Sequence, residues 1–155
     1  MGEPMTKQRL SNYIKLKAEV EHYLERIARM KNDERFPAMK ESDGSQHQPG
    51  ASDRMANAVI RRLNYEDKMA PRIHANLDEM EAIEKAIDAL DDPMERDVLH
   101  SRYLESDPES VYKHTPWGVI STWLYGDNDE KSLQATYRLH GRALQNIRKV
   151  EYVRK

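Results

Sequence analysis

The chain has 155 residues, of which 34% are charged and 38% hydrophobic, and its formal net charge is −2. This composition suits long, exposed helices better than one large core, and the absence of cysteine excludes disulfides, thiolate metal sites and cysteine nucleophiles. No apolar run approaches the ~20 residues that a membrane-spanning helix needs, and the N-terminal MGEPMTKQRL lacks the apolar centre of a signal peptide. We therefore expect an all-α, cytoplasmic protein that does not associate with membranes.

The small net charge conceals a strong asymmetry along the chain. Residues 91–130 contain three Lys or Arg against ten Asp or Glu, whereas residues 131–155 contain seven against one. A basic C-terminal segment next to an acidic one indicates a surface for a polyanion near the end of the chain.

The first predicted segment, residues 1–35, contains a helix that runs from its N-cap Thr6 to about Arg35. Its apolar residues recur at spacings of 3 and 4, the rhythm of a coiled-coil seam; they are Tyr13, Leu16, Val20, Tyr23, Ile27 and Met30. This pattern predicts pairing with a second helix, either in the same chain or in a second copy, as in a dimer. The alternative is an ordinary amphipathic helix that lies on its own core.

Residues 36–53 are predicted to be a flexible linker, because they contain two Pro, two Gly and three Ser without apolar periodicity. A second long helix is predicted over residues 54–90. Pro71 lies inside it, and proline removes a backbone donor and crowds the preceding turn, so we expect a kink or break near Ala70. The linker is long enough for the two helices to form an antiparallel hairpin.

Residues 91–155 are predicted to form a separate domain of three helices. Asp92, Pro93 and Glu95 combine an N-cap, a proline at the first helical position and a capping-box acid. Residues 106–115 read as a polar loop. Thr115 and Pro116 repeat the cap-plus-proline signal for a short helix that ends at Gly126.

The last helix, capped in this prediction by Ser132, has two distinct faces. One is apolar and should pack inward: Thr136, Leu139, Ala143, Ile147 and Val150. The opposite stripe contains no acid: Gln134, Arg138, Arg142, Gln145 and Lys149. A short helix, a turn and a longer helix with a polar face are the parts of a helix-turn-helix unit, whose second helix reads the DNA major groove.

Arg and Gln suit base recognition because each can make two hydrogen bonds to one base. Further along, Arg148, Lys149, Arg154 and Lys155 are expected to meet phosphates. The alternative is a solvated basic face without a partner.

The sequence offers no catalytic motif: it has no phosphate loop, no paired-histidine helix motif and no serine elbow. The stretch DNDEKS is not a calcium loop, because Ser132 and Arg138 stand where the loop needs Gly and Glu. His100 is interpreted as a packed or surface histidine, and His140 as a histidine that forms a hydrogen bond between helices. We expect a protein that is not an enzyme, with no cofactor and no metal.

Three successive stretches resemble the C-terminal part of ArpU-type transcriptional regulators of phages. They are the run IDALDDPMERDVLHSRYLE, then Trp117, Ile120 and Leu124, and then YRLHGRALQNI. That part is similar to region 4 of sigma-70-type factors. The resemblance covers roughly residues 87–150. It implies a phage or prophage regulator of late or packaging-module genes that acts in the bacterial cytoplasm, binds double-stranded DNA and contacts host RNA polymerase.

The resemblance also implies which residues face the groove: Ser132, Leu133, Gln134, Tyr137 and Arg138. With Arg142, Gln145 and Lys149 from the acid-free stripe, they form the predicted DNA-binding set. The chain departs from the family at residues 126–131, which lengthen the predicted turn and bring acids beside the reading helix. Acids there would repel phosphate.

Two other functions stay open at this point. The same fold could be a protein-interaction module that binds a host or phage protein, with the acidic turn as part of the contact surface. A packaging subunit with DNA-binding helices and an oligomerising coiled coil fits the layout but not the order of the motifs, and its large rings would distinguish it.

Overall fold

The computed structural model describes residues 3–35 and 50–150. Its helices are α1 (Lys7–Arg35), α2 (Ala51–Asp88), α3 (Pro93–Leu99), α4 (Trp117–Tyr125) and α5 (Glu130–Ile147), and a π-helical turn (His100–Leu104) continues α3. Two strands, β1 (Ser106–Asp107) and β2 (Ser110–His114), form an antiparallel hairpin. The expectation of an all-α protein is confirmed in part: the structure is mostly helical, and the hairpin is the exception.

The hairpin replaces the polar loop that was predicted over residues 106–115. Ser106 pairs with His114 and Asp107 with Ser110, with a register shift between the two pairs. The Asp107 carboxylate accepts a hydrogen bond from the backbone N–H of Glu109 at 3.0 Å, which closes the turn. Strands of two and five residues are too short for the period of a strand to appear in the sequence.

α2 is continuous through Pro71, so no break occurs near Ala70. The missing proline donor removes one backbone hydrogen bond, and the other bonds of this 38-residue helix maintain it. α2 begins at Ala51, inside the predicted linker, and residues 36–49 of that linker lie outside the described residues.

The chain forms two compact units, Met1–Ala18 with Asn76–Lys155, and Glu19–Ala75. Both long helices therefore contribute to both units, and the first unit spans the predicted domain boundary between residues 90 and 91. Two of its buried residues on the N-terminal side of that boundary, Leu10 and Ile87, belong to the same core as Val98 and Leu139.

In the unit Glu19–Ala75, α1 and α2 pair antiparallel. Glu19 forms an ion pair with Arg72 at 3.4 Å, and the Tyr23 and Tyr65 rings stack with their centroids 5.8 Å apart. The helix pairing that the spacing of α1 predicts is thus made within the chain here.

The other unit has the larger core. Its buried residues come from the five helices, the π-helical turn and two positions outside them, Met5 and Leu90; the others are Leu10, Tyr13, Ile83, Ala86, Ile87, Val98, Leu99, Tyr103, Leu104, Ile120, Leu139, Ala143 and Ile147. The predicted inward stripe of α5 is buried up to Ile147, and Val150 beyond it is half-buried.

The helix starts agree with the sequence in part. The backbone N–H of Met94 donates to the Asp92 carboxylate at 2.8 Å, so the predicted N-cap and first-position proline of α3 are confirmed. Glu95 is buried and its carboxylate accepts a hydrogen bond from Asn146 of α5, not one at the cap. Thr115 does not cap α4; its hydroxyl donates to the Glu105 carbonyl, and Pro116 holds the cap position.

Candidate nucleic-acid interface

The connection between α4 and α5 is a four-residue turn over residues 126–129. α4 ends at Gly126, whose φ of 77° lies in the left-handed region that glycine adopts without strain. The Ser121 hydroxyl then donates to the Asp127 carbonyl at 2.7 Å, and the Asp127 carboxylate accepts from the backbone N–H groups of Asn128 and Asp129. The turn is therefore closed by its own hydrogen bonds.

This geometry corrects the predicted start of the last helix. The N-cap of α5 is Asp129, whose carboxylate accepts from the backbone N–H of Ser132 at 2.8 Å. Ser132 lies in the first turn and does not cap. Asp and Ser are equally suited to an N-cap, so the sequence did not decide between them. Because α5 begins at Glu130, the turn is shorter than the predicted residues 126–131.

The exposed face of α5 contains the acid-free stripe. The side chains of Gln134, Arg138, Arg142 and Gln145 are all exposed, opposite the buried Leu139 and Ala143. Between residues 131 and 150 there are five Lys or Arg and no Asp or Glu. The face combines cations with bidentate hydrogen-bonding groups.

The remaining residues of the predicted DNA-binding set have different environments. Lys149 is exposed, beyond the end of the helix at Ile147. Tyr137 is 44% exposed, and its ring meets the Trp117 ring edge-on with the centroids 5.5 Å apart. Ser132 and Leu133 are half-buried beside the exposed face. Arg154 and Lys155, which were also expected to meet phosphates, lie outside the described residues.

Carboxylates stand at the N-terminal end of this face. An open groove there is lined by Asp129, Glu130, Lys131, Gln134 and Arg138. Hydrogen bonds from the hydroxyl and then the N–H of Ser132 lower the pKa of Asp129, which keeps this carboxyl ionised. A negative charge here stabilises the positive end of the helix dipole, and it also reduces the positive potential near Gln134.

Two partly buried contacts position α5, and the sequence predicted a hydrogen bond between helices for His140 without identifying its partner. Asn146 donates to the buried Glu95 of α3 at 2.7 Å. Tyr103 of the π-helical turn is 2% exposed, and its hydroxyl lies 2.7 Å from Nε2 of His140. Both contacts join residues far apart in sequence, so local spacing carries no signal of them.

Around His140 lies a cluster of aromatic and basic side chains. The Trp117 ring meets the His140 ring edge-on at 4.7 Å, and the Arg102 guanidinium lies over Trp117, 4.4 Å from the ring centre. Arg102 also donates to the Thr115 carbonyl at 2.8 Å. The π-helical turn thus places an Arg and a Tyr on the same side of α5, at its junction with α4.

Burial, with the positive charges of Lys7 and Arg102, lowers the pKa of His140 to about 4. Burial is also the main cause that lowers the pKa of His114, to which the charges of Arg102 and Lys15 contribute. Burial raises the pKa of Tyr103 to about 12. At neutral pH the imidazole of His140 is therefore uncharged and the phenol of Tyr103 keeps its proton.

Within residues 3–35 and 50–150, no group of three or more His, Asp or Glu is arranged to hold a metal ion. No helix in this part of the chain is long and apolar enough to cross a membrane. No family model, no curated protein and no solved structure matches the chain.

Proposed function

We propose that this chain is a DNA-binding transcriptional regulator of a phage or prophage, in which α4 and α5 act as a helix-turn-helix of the sigma region 4 kind. The observation that carries the proposal is the exposed, acid-free stripe of α5 in a helix that begins after a four-residue turn. Turns of three to four residues with a glycine are typical of such units. The regulatory role rests on the family resemblance alone.

In this proposal α5 enters the major groove, which is about 12 Å wide and admits one helix. Gln134 and Arg138 lie in its first half, from which recognition helices contact base edges. Arg142 and Gln145 lie one to two turns further along, and Lys149 follows the helix end, where side chains meet the phosphates.

The proposed dimer would form through the unit Glu19–Ala75. Four large apolar side chains of that unit are exposed: Leu24 at 58%, Met55 at 45%, Ile60 at 54% and Leu63 at 45%. Apolar surface of this kind gains free energy when a second copy covers it. A dimer would also match two half-sites in an operator.

The test is a titration of the purified protein with double-stranded DNA from its own genomic neighbourhood and with a scrambled duplex, at low and moderate salt. We expect selective binding that weakens steeply with salt, because neutralised phosphates release counterions. Arg138→Ala with Arg142→Ala should weaken selective binding about 30-fold or more, since each base-contacting Arg is worth about 1–3 kcal/mol.

The matched control is Arg29→Ala with Arg61→Ala, which removes two exposed arginines from the other compact unit. If the two double variants weakened binding equally, α5 would not be the reading helix. Unchanged affinity in the α5 variant would refute the groove assignment directly.

A protein-interaction module is the second candidate. It is favoured by two large aromatic side chains on α4, Trp123 at 52% and Tyr125 at 41% exposure, next to the acidic turn. Aromatic residues are enriched at protein interfaces, and RNA polymerase is the partner class that the resemblance implies. Absence of DNA binding at low salt, with a host protein retained by the wild type and lost by Trp123→Ala, would favour this candidate.

A further inference from the structure

A second group of cations lies beside α5, outside the predicted DNA-binding set. Lys7 and Lys15 are exposed on α1, two helical turns apart, and Arg102 is half-buried in the π-helical turn. We call these three residues the basic shoulder. All three belong to the unit that contains α5.

The basic shoulder adjoins the exposed face of α5 through a continuous set of rings. Arg102 lies over Trp117, and Trp117 meets the half-exposed Tyr137 of α5 at 5.5 Å. Tyr137 contacts Trp117 on one side and precedes Arg138 in sequence, so it lies between the shoulder and the acid-free stripe.

Lys7 and Lys15 share one flank of α1, and their charges act on His140 and His114 respectively. The opposite flank of α1 contacts α2, since Arg9 forms an ion pair with Glu79 and the Tyr13 hydroxyl donates to the Glu84 carboxylate. Within the described residues, none of the three shoulder cations forms an ion pair with a carboxylate. Other basic residues of the long helices, Arg62 and Arg72 among them, are paired in that way.

The electrostatic environment here is one-sided. The charges that act on His140 are those of Lys7 and Arg102, and those that act on His114 are Arg102 and Lys15. The charges with the largest effect on these two imidazoles are thus positive. Uncompensated cations at a surface raise the local concentration of a polyanion.

We propose that the basic shoulder binds the phosphate backbone of the DNA strand that flanks the major groove on the Tyr137 side of α5. The inference rests on the proposed function, since it presumes that α5 lies in that groove. Phosphate contacts orient a protein on the duplex without reading its sequence. The shoulder should therefore contribute affinity and salt dependence, whereas Arg138 and Arg142 contribute selectivity.

The test uses the full chain with Lys7→Ala and Lys15→Ala, and leaves Arg102 intact because it also holds Thr115 and Trp117. Both lysines are exposed, so the melting temperature should match that of the wild type. The control is Lys31→Ala with Lys68→Ala, the same loss of charge at two exposed lysines of the other unit. A charge-keeping variant, Lys7→Arg with Lys15→Arg, completes the set.

Two lost phosphate contacts should reduce the slope of log Kd against log salt by about 1.8, since each contact contributes about 0.9. Between about 50 and about 200 mM salt, the weakening of binding should then be about tenfold smaller than in the wild type. We expect the same reduction with the genomic and the scrambled duplex. The Lys31/Lys68 control and the Arg variant should keep the wild-type slope.

An unchanged slope in the Lys7/Lys15 variant would overturn the shoulder, and the proposed function would stand if Arg138→Ala with Arg142→Ala still lost selectivity. An equal reduction of the salt slope in the Lys31/Lys68 control would also overturn the shoulder, because the change in net charge alone would then explain the reduction. If the wild type bound no duplex even at low salt, both the shoulder and the proposed function would be refuted.

Discussion

The burial of His140 against Tyr103 predicts that the protein loses part of its stability in acid. Burial, together with Lys7 and Arg102, holds the pKa of His140 at about 4 in the folded chain, against 6.5 for an ordinary histidine. Between these two values the unfolded chain binds a proton at this position and the folded chain does not. Stability therefore falls as the pH drops from about 7 to about 4, and the loss is complete below the folded pKa.

The size of this loss follows from the two pKa values. A shift of the His140 pKa from 6.5 to about 4 corresponds, if it counts in full, to about 3 kcal/mol of unfolding free energy. His140 is only half-buried, so solvent screens part of the interaction and we expect about 1–2 kcal/mol. The pKa of His114 is lowered in the same direction, and its contribution to the pH dependence of stability is the same in the wild type and in any His140 variant.

The measurement is urea unfolding of the wild type and His140→Gln at several pH values from 7 to 4. The variant should be the less stable protein at pH 7, because it disrupts the contact with Tyr103. The gap between the two free energies of unfolding should narrow by about 1–2 kcal/mol at pH 4. His74→Gln, at an exposed position of α2, should leave the wild-type pH profile unchanged.

A gap that stayed constant from pH 7 to pH 4 would refute this reasoning. So would an NMR titration of the His140 ring with a midpoint near 6.5, because it would mean that folding does not exclude the proton.

Three substitutions in α5 and its turn give further predictions. Gly126→Ala should destabilise the protein by about 1 kcal/mol, because an Ala side chain strains a backbone at φ 77° although the space around it is open. Gly141→Ala, in the exposed interior of α5 with no atom near its added Cβ, should instead stabilise by about 0.5–1 kcal/mol. Leu139→Ala, at a residue that is 1% exposed, should cost about 2–5 kcal/mol. Thermal and urea unfolding check all three, and a shift of the same sign for both glycines would contradict the backbone argument.

The faces of α5 could be predicted from the sequence because a period of 3.6 residues fixes which side chains share a side. The first residue of α5 could not be fixed in this way, since Asp129 and Ser132 are both good caps. Only the geometry of the turn, closed by Asp127 and Ser121, decides for Asp129.

The division into compact units was also beyond the sequence. An apolar stripe shows that a helix is covered on one side, but not where along its length the covering element changes. In α1, Tyr13 belongs to the core that contains α5, whereas Tyr23, on the same heptad seam, stacks on Tyr65 in the other unit. Long-range pairs such as Tyr103 with His140 leave no mark on local spacing either, although they position the candidate interface.

The short turn changes how the acids beside α5 bear on DNA binding. Asp129 accepts a hydrogen bond from Ser132, and Asp127 accepts two from the turn, so these carboxylates are needed to begin the helix. An N-cap acid is worth about 0.5–2 kcal/mol of helix stability. Because α5 begins at Glu130, Arg142 lies more than three turns along the helix from Asp129, whereas Gln134 and Arg138 share a groove with this carboxylate. Under the proposed function, the strongest DNA contacts should therefore come from the middle of α5 and from the basic shoulder, with Gln134 as the base contact nearest the acids.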